Sequence, residues 1–221
     1  MSETVIVSWS GGKDSCLALY QILKAGELQV AALLTTITRD YDRISMHGVR
    51  RVLLQQQAAS LGIPLHEVYI GKAATNEEYE SRMKEALIEY REQGVRSVVF
   101  GDLFLEDIKV YRDRFLSRLE MRGLYPVWKR DTTRFIREFM DRGFKARVTC
   151  VNAERLDSSF AGRVIDDEFL NQLPPEVDPC GENGEFHTFV FAGPCFREEI
   201  KLVTGDTVLR DGHYYCDLLP A

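Results

Sequence analysis

The sequence predicts an α/β fold, a parallel sheet with helices on both faces, followed by a smaller α+β region at the C-terminal side. Three observations carry this. Short β-branched apolar runs alternate with helical patterns from Val5 to about Trp128. The first run leads directly into a glycine turn, Ser10 to Ser15, and then into a helical pattern. After about residue 130 the alternation gives way to closely spaced strand-like segments. Strand–helix alternation implies parallel pairing with crossover helices. Right-handed crossovers bring the strand C-termini to one edge, where ligands bind. The 221 residues allow one large domain or two small ones. A boundary near Lys129 gives regions 1–129 and 130–221.

Taken in order, the first strand runs through Val5-Ile6-Val7-Ser8-Trp9 and ends at Ser10, and the first helix closes near Gly26, the usual glycine position past a helix end. Val30 to Ile37 reads as the second strand and Thr38 to Gly48 as a polar loop. A helix over 49–61 stops at Gly62-Ile63-Pro64, and Leu65 to Ile70 is the third strand. Asn76 is the expected N-cap of a helix with Tyr79, Met83, Leu87 and Tyr90 as its buried stripe. Val95 to Phe100 is a strand ending at Gly101-Asp102; a helix carrying Tyr111, Phe115 and Leu119 follows, then a strand from Leu124 to Trp128. Arg112, Arg114, Arg118 and Arg122 recur at helical spacing and read as a solvated helix face. Thr132 to Arg142 is a helix, Lys145 to Val151 a strand, and Arg163 to Leu173 a short helix stopped by Pro174-Pro175. Phe186–Phe191, Ile200–Val203, Thr207–Arg210 and Tyr214–Leu218 read as strands, with turns at Gly205-Asp206 and Asp211-Gly212.

Composition bounds the function. A net charge of −6 opposes a nucleic-acid partner, which needs a basic surface. No apolar run reaches membrane-spanning length, and the first is too short for a secretory signal. The five cysteines, Cys16, Cys150, Cys180, Cys195 and Cys216, form no C-x-x-C pair, which fits reduced thiols in a cytoplasmic protein better than a disulfide framework or zinc site.

The hexapeptide Ser10-Gly11-Gly12-Lys13-Asp14-Ser15 carries the strongest chemical signal. Paired glycines let the backbone approach an anion, and the free N–H groups of the following helix point at it. Lys13 adds a charge, and Ser10 and Ser15 add hydroxyl donors. Asp14 repels a bare phosphate, so it implies a magnesium ion or a hydrogen bond that fixes the loop. The spacing is not that of Walker A. It matches the PP-loop of the N-type ATP pyrophosphatases, which implies ATP binding by Ser8, Ser10, Gly11, Gly12, Lys13, Asp14 and Ser15.

A second cluster, Cys180 to Thr188, reads Cys-Gly-Glu-Asn-Gly-Glu-Phe-His-Thr. If a strand starts at Glu185, then Glu185 and His187 share one face and Phe186 and Thr188 the other. A carboxylate beside an imidazole suits acid–base work. His47 and Asp102, in loops after the second and fourth strands, fall on the expected ligand edge. His47 could touch nucleotide or substrate, and Asp102 suits a magnesium or ribose ligand. Trp128 could stack on a planar ligand or fill the core. His66 and His213 read as structural or solvated.

Together with Gly101-Asp102, Tyr125-Pro126-Val127-Trp128 and Gly-Glu-Asn-Gly-Glu-Phe-His-Thr at 181–188, the hexapeptide makes the whole chain resemble the diphthine–ammonia ligase family. The resemblance implies an adenine-nucleotide α hydrolase-like ATP-binding domain over 1–129 and a substrate-cleft domain over 130–221. It implies ATP and magnesium as cofactors, with Asp14 and Asp102 on the metal and His47 and Gly101 beside the nucleotide. Lys13, Asp14, Glu182, Glu185 and His187 become catalytic candidates, and Asn183, Gly184, Thr188 and Trp128 substrate contacts. The implied reaction is ATP-dependent amidation of a small-molecule or protein-borne carboxylate by ammonium, through an acyl-adenylate. Diphthine ligases typically carry glycine where Asn183 stands and glutamate where His187 stands; the version here resembles a bacterial subgroup linked to cobalamin salvage. A non-catalytic adenine-nucleotide sensor is the alternative outside the enzyme class. No glutaminase region is visible, and a homodimer is the default oligomeric expectation.

Overall fold

The computed structural model describes residues 2–45 and 47–221. In chain order the first elements are β1 (Glu3–Ser8), α1 (Lys13–Ala25), β2 (Leu28–Thr38), β3 (Arg43–Ile44), α2 (Arg51–Leu61), β4 (Leu65–Ile70), α3 (Asn76–Glu92), β5 (Ser97–Val99), α4 (Glu106–Ser117) and β6 (Arg122–Leu124). Then come α5 (Thr132–Asp141), β7 (Lys145–Asn152), α6 (Asp167–Gln172), β8 (Phe186–Ala192), β9 (Leu202–Arg210) and β10 (His213–Pro220). The residues fall into two compact units: Met1–Ser10, Asp14–Ser45 and Ile63–Lys129 form the first, and Gly11–Lys13, Met46–Gly62 and Arg130–Ala221 the second.

The first unit is built on a mostly parallel sheet, β1 pairing with β2 and β5, β2 with β4, and β5 with β6, all in parallel. The predicted α/β class therefore holds. β3 was not expected: the sequence reads as a polar loop there, but Ile37 pairs with Ile44 and Thr38 with Arg43 in a short antiparallel hairpin. Buried Ile44 is the apolar contact that an otherwise polar stretch conceals. The core joins sheet and helices through Ile6, Leu34, Val98, Leu87, Phe115 and Leu116. Thr75, not Asn76, caps α3, its hydroxyl accepting from Glu78 N–H at 3.2 Å. β6 covers Arg122–Leu124, so of the strand expected from Leu124 to Trp128 only Leu124 is in a strand, and residues 126–129 turn instead. The four arginines read as one solvated helix face do not share a helix, because α4 ends at Ser117 and Arg122 lies on a strand, bonded to Glu3 at 2.7 Å.

The second unit centres on an antiparallel sheet in the order β8-β7-β10-β9. Asp211 (φ 48) and Gly212 (φ 76) both take left-handed conformations, as a two-residue hairpin between β9 and β10 requires. Gly205-Asp206 makes no turn; both residues lie inside β9, at the register shift between the Thr204–Leu218 and Thr207–Cys216 pairs with β10. α5 is capped by Asp131, whose carboxylate accepts from Arg134 N–H at 2.8 Å. It buries Phe135, Ile136 and Phe139. Phe139 stacks on Phe144 with centroids 5.0 Å apart, and Phe169 meets Phe186 edge-on at 5.5 Å. Among the described residues no helix is long and apolar enough to cross a membrane.

Phe139 is fully buried, so Phe139→Ala is expected to lower stability by about 3–5 kcal/mol, read as a shifted midpoint in urea with little change in slope.

Candidate active site

In the first unit β1 ends at Ser8, two residues earlier than the sequence suggests, and the chain then enters the hexapeptide. Ser10 Oγ and Ser15 Oγ lie 3.1 Å apart. Gly101, past the end of β5, packs directly on the backbone that opens α1. A Cβ there would sit 2.6 Å from both Asp14 C and Ser15 N, so no other residue fits without moving the turn. Asp102 hydrogen-bonds Arg112, whose guanidinium covers the Phe100 ring at 4.4 Å. Burial raises the Asp102 carboxyl above the usual range, Arg112 opposes this, and the Asp14 carboxylate raises it further. Two carboxylates that repel each other at a loop suit a hard divalent cation, which relieves the repulsion. Among the described residues no three His, Cys, Asp or Glu side chains gather into a metal cluster. Trp128 is half-buried beside Tyr125, with ring centroids 5.8 Å apart, and the Lys109 ammonium lies 5.9 Å from its ring centre.

In the second unit Gly11 (φ 73) is held by its carbonyl, which accepts from Val190 N–H at 2.9 Å and from Gln57 Nε2 at 3.0 Å. A Cβ on Gly11 would meet Gln57 Oε1 at 2.7 Å and Leu54 Cδ2 at 2.9 Å. Lys13 N–H donates to Thr188 Oγ1 at 3.1 Å. Its ammonium is nearly out of solvent, with the side chain 3% exposed, and stands 3.7 Å from Glu182 Oε1. The Phe186 ring centre is 5.8 Å away.

The 178–185 loop is organised by carboxylates. Glu185 is buried and accepts from Asp178 N–H at 3.1 Å, from Asn183 N–H at 2.9 Å and from Asn183 Nδ2 at 3.1 Å. Burial pushes its carboxyl upward, but these hydrogen bonds outweigh that and hold it below the ordinary value. Gly181 (φ 70) and Gly184 (φ 83) supply the left-handed positions of the turn. Asp178 Oδ1 accepts from Cys180 N–H at 2.8 Å, and its Oδ2 from Thr132 Oγ1 at 2.7 Å. Neither Asp178 nor Gln57 was picked out from the sequence. Asp178-Pro179 at the head of the motif was an available turn signal, whereas nothing local marks Gln57.

The ring beside His187 is that of His47, at 4.5 Å between centroids and tilted 41°. Strand β8 begins at Phe186, after Glu185 has committed its oxygens to the loop. Burial, the Lys13 charge and His213 lower the His187 imidazole to about 4. Burial, His187 and Lys13 hold His47 well below the ordinary value, with a hydrogen bond to the Thr188 backbone acting the other way. Both rings are therefore neutral near pH 7.

The sequence pattern of the diphthamide synthase N-terminal domain matches residues 3–123, and that of the diphthamide synthase C-terminal domain matches residues 131–218. The chain belongs to the diphthamide synthase family. A diphthine–ammonia ligase of Danio rerio is 26% identical over 225 residues, covering 91% of this chain and 87% of its own. One of Homo sapiens is 23% identical over 223 residues, covering 91% and 83%. Membership of the diphthamide synthase family agrees with the ligase class that the two motifs implied.

The unfolded His187 takes a proton near its ordinary value of 6.5, and the folded one near 4. Stability is therefore expected to fall as pH drops through that window, because the unfolded chain binds the proton first. His187→Asn should flatten that slope in urea midpoints measured from pH 7 to pH 4.

Proposed function

We propose that this chain catalyses ATP-dependent amidation of a carboxylate with ammonia through an acyl-adenylate, releasing AMP and pyrophosphate. The observation that carries the reading is the buried Lys13 ammonium at the start of a helix, in a glycine loop tied down through Gly11 and Thr188. A buried cation on such a loop is suited to the charge that builds as diphosphate leaves. The Gly11 and Gly12 backbone, Lys13 and the Ser10 and Ser15 hydroxyls hold that diphosphate. Ser8, Gly101 and Asp102 lie along the nucleotide. Asp14 and Asp102 would hold a magnesium ion, which supplies neutralisation of phosphate charge when bound.

Glu182 faces the Lys13 ammonium and holds it in place, and Glu185 keeps the 178–185 turn rigid. Asn183, Gly184, Thr188 and Trp128 are assigned to the carboxylate substrate, whose oxygen attacks the α-phosphorus. Ammonia then displaces AMP. The relatives named diphthine–ammonia ligases make diphthine the first carboxylate to test, with corrinoid acids as the second class.

A screen of carboxylates for pyrophosphate exchange into ATP tests this. One acid is expected to support exchange, chelation of magnesium to abolish it, and Lys13→Ala to lower it by on the order of 10²–10³-fold. Tight ATP binding with no exchange for any acid would convert the reading to that of a nucleotide sensor.

A further inference from the structure

Asymmetry between the two ring nitrogens of His47 carries chemistry that the loop and the carboxylates leave unassigned. His47 Nδ1 is buried and has no hydrogen-bond partner among the described residues. The Thr188 backbone hydrogen-bonds the same ring, and that bond favours the protonated state, so the ring donates it. With Nδ1 unpartnered, the donor is Nε2. A neutral imidazole carries one N–H and one lone pair. The lone pair therefore lies on Nδ1, and a buried unfilled acceptor is costly enough to need a reason. The groups whose charge or rings bear on the His pair are Lys13, His187 and His213, with Tyr215 packed against Gly48 and hydrogen-bonded to Cys150. The Lys13 charge disfavours a cation there and favours a small neutral N–H donor.

We propose that His47 Nδ1 is the proton acceptor for the nitrogen nucleophile, and that His187 positions the His47 ring; this rests on the amide-forming reading above. Ammonium enters and gives up one proton to solvent. The nitrogen lone pair of ammonia forms the C–N bond at the acyl carbon, and the added nitrogen, now positively charged and far more acidic, passes a proton to Nδ1. The C–O bond to AMP breaks, and AMP leaves with the electron pair. The two protons lost from ammonium thus go to solvent and to His47, which later returns its own to solvent. A weakly basic, neutral imidazole suits this because it remains unprotonated until the nitrogen has become acidic.

The test compares two half-reactions of the full chain, using ammonium chloride and whichever carboxylate supports pyrophosphate exchange. His47→Gln is expected to depress amide formation on the order of 10²-fold more than it depresses exchange. Hydroxylamine, a weaker base whose added nitrogen is more acidic and can lose its proton to water unaided, should recover most of that loss. His187→Gln should move the acidic limb of the amide-forming pH profile upward, since His187 no longer lowers its neighbour. Long-range ¹H–¹⁵N spectra of the wild-type chain at pH 7 should show His47 with its proton on Nε2. A proton on Nδ1, equal losses in both half-reactions, or an unmoved pH limb overturns the proposal while exchange keeps the ligase reading. Failure of the wild type to exchange with any acid overturns that reading and this one with it.

Discussion

A lysine ammonium taken almost out of water is the constraint to which the second unit answers. Removing such a charge from solvent is expensive unless a counter-charge and hydrogen bonds meet it. Glu182 supplies the counter-charge at 3.7 Å. The cost of keeping Glu182 there passes to the turn that carries it, and that turn is held by two further carboxylates, Asp178 and Glu185, whose oxygens accept loop N–H groups. The same ammonium reaches the histidines and helps keep both rings uncharged. Burial does most to keep these rings neutral, and the one buried charge adds to it, while the turn that answers that charge gathers its polar groups within a few residues of Gly184.

The first unit solves a different problem, that of bringing backbone within reach of backbone. Gly101 passes the opening turn of α1 so closely that a methyl group has no room. Asp102, one residue on, is steered by Arg112, which itself lies flat on Phe100. Arg112 therefore anchors Asp102 rather than forming a solvated stripe. Its planar fork can pair with a carboxylate and stack on a ring at once, which a lysine could not do.

What could be read in advance tracks how local the determinant is. β4 fell on its expected residues because Pro64 precedes it and a polar stretch follows. The hexapeptide was legible because its spacing is its chemistry. Gly205-Asp206 misled because a glycine–aspartate pair has the composition of a turn; here β10 pairs across it, and a shift of register after Cys216 absorbs the irregularity. The meeting of His47 with His187 was invisible, since it depends on how a loop and a strand far apart in sequence come together. Glu185 beside His187 was the natural expectation from a two-residue period, and it gave way because β8 starts one residue later. The loop's N–H groups claimed Glu185 first.

Strand pairing in the second unit has an irregularity between Val148 and Cys150, where Thr149 is left without a partner on β8. Past it, Cys150 stands opposite both His187 and Tyr215, so these three side chains share a face. Deleting Thr149 would leave a regular ladder in which Cys150 still stands opposite His187, but would remove the bend and added twist that the bulge gives β7 there. The aim of an imidazole thus depends on the bend that an extra residue gives the neighbouring strand, and chemistry here could be lost through an edit that leaves the ligand-facing residues untouched.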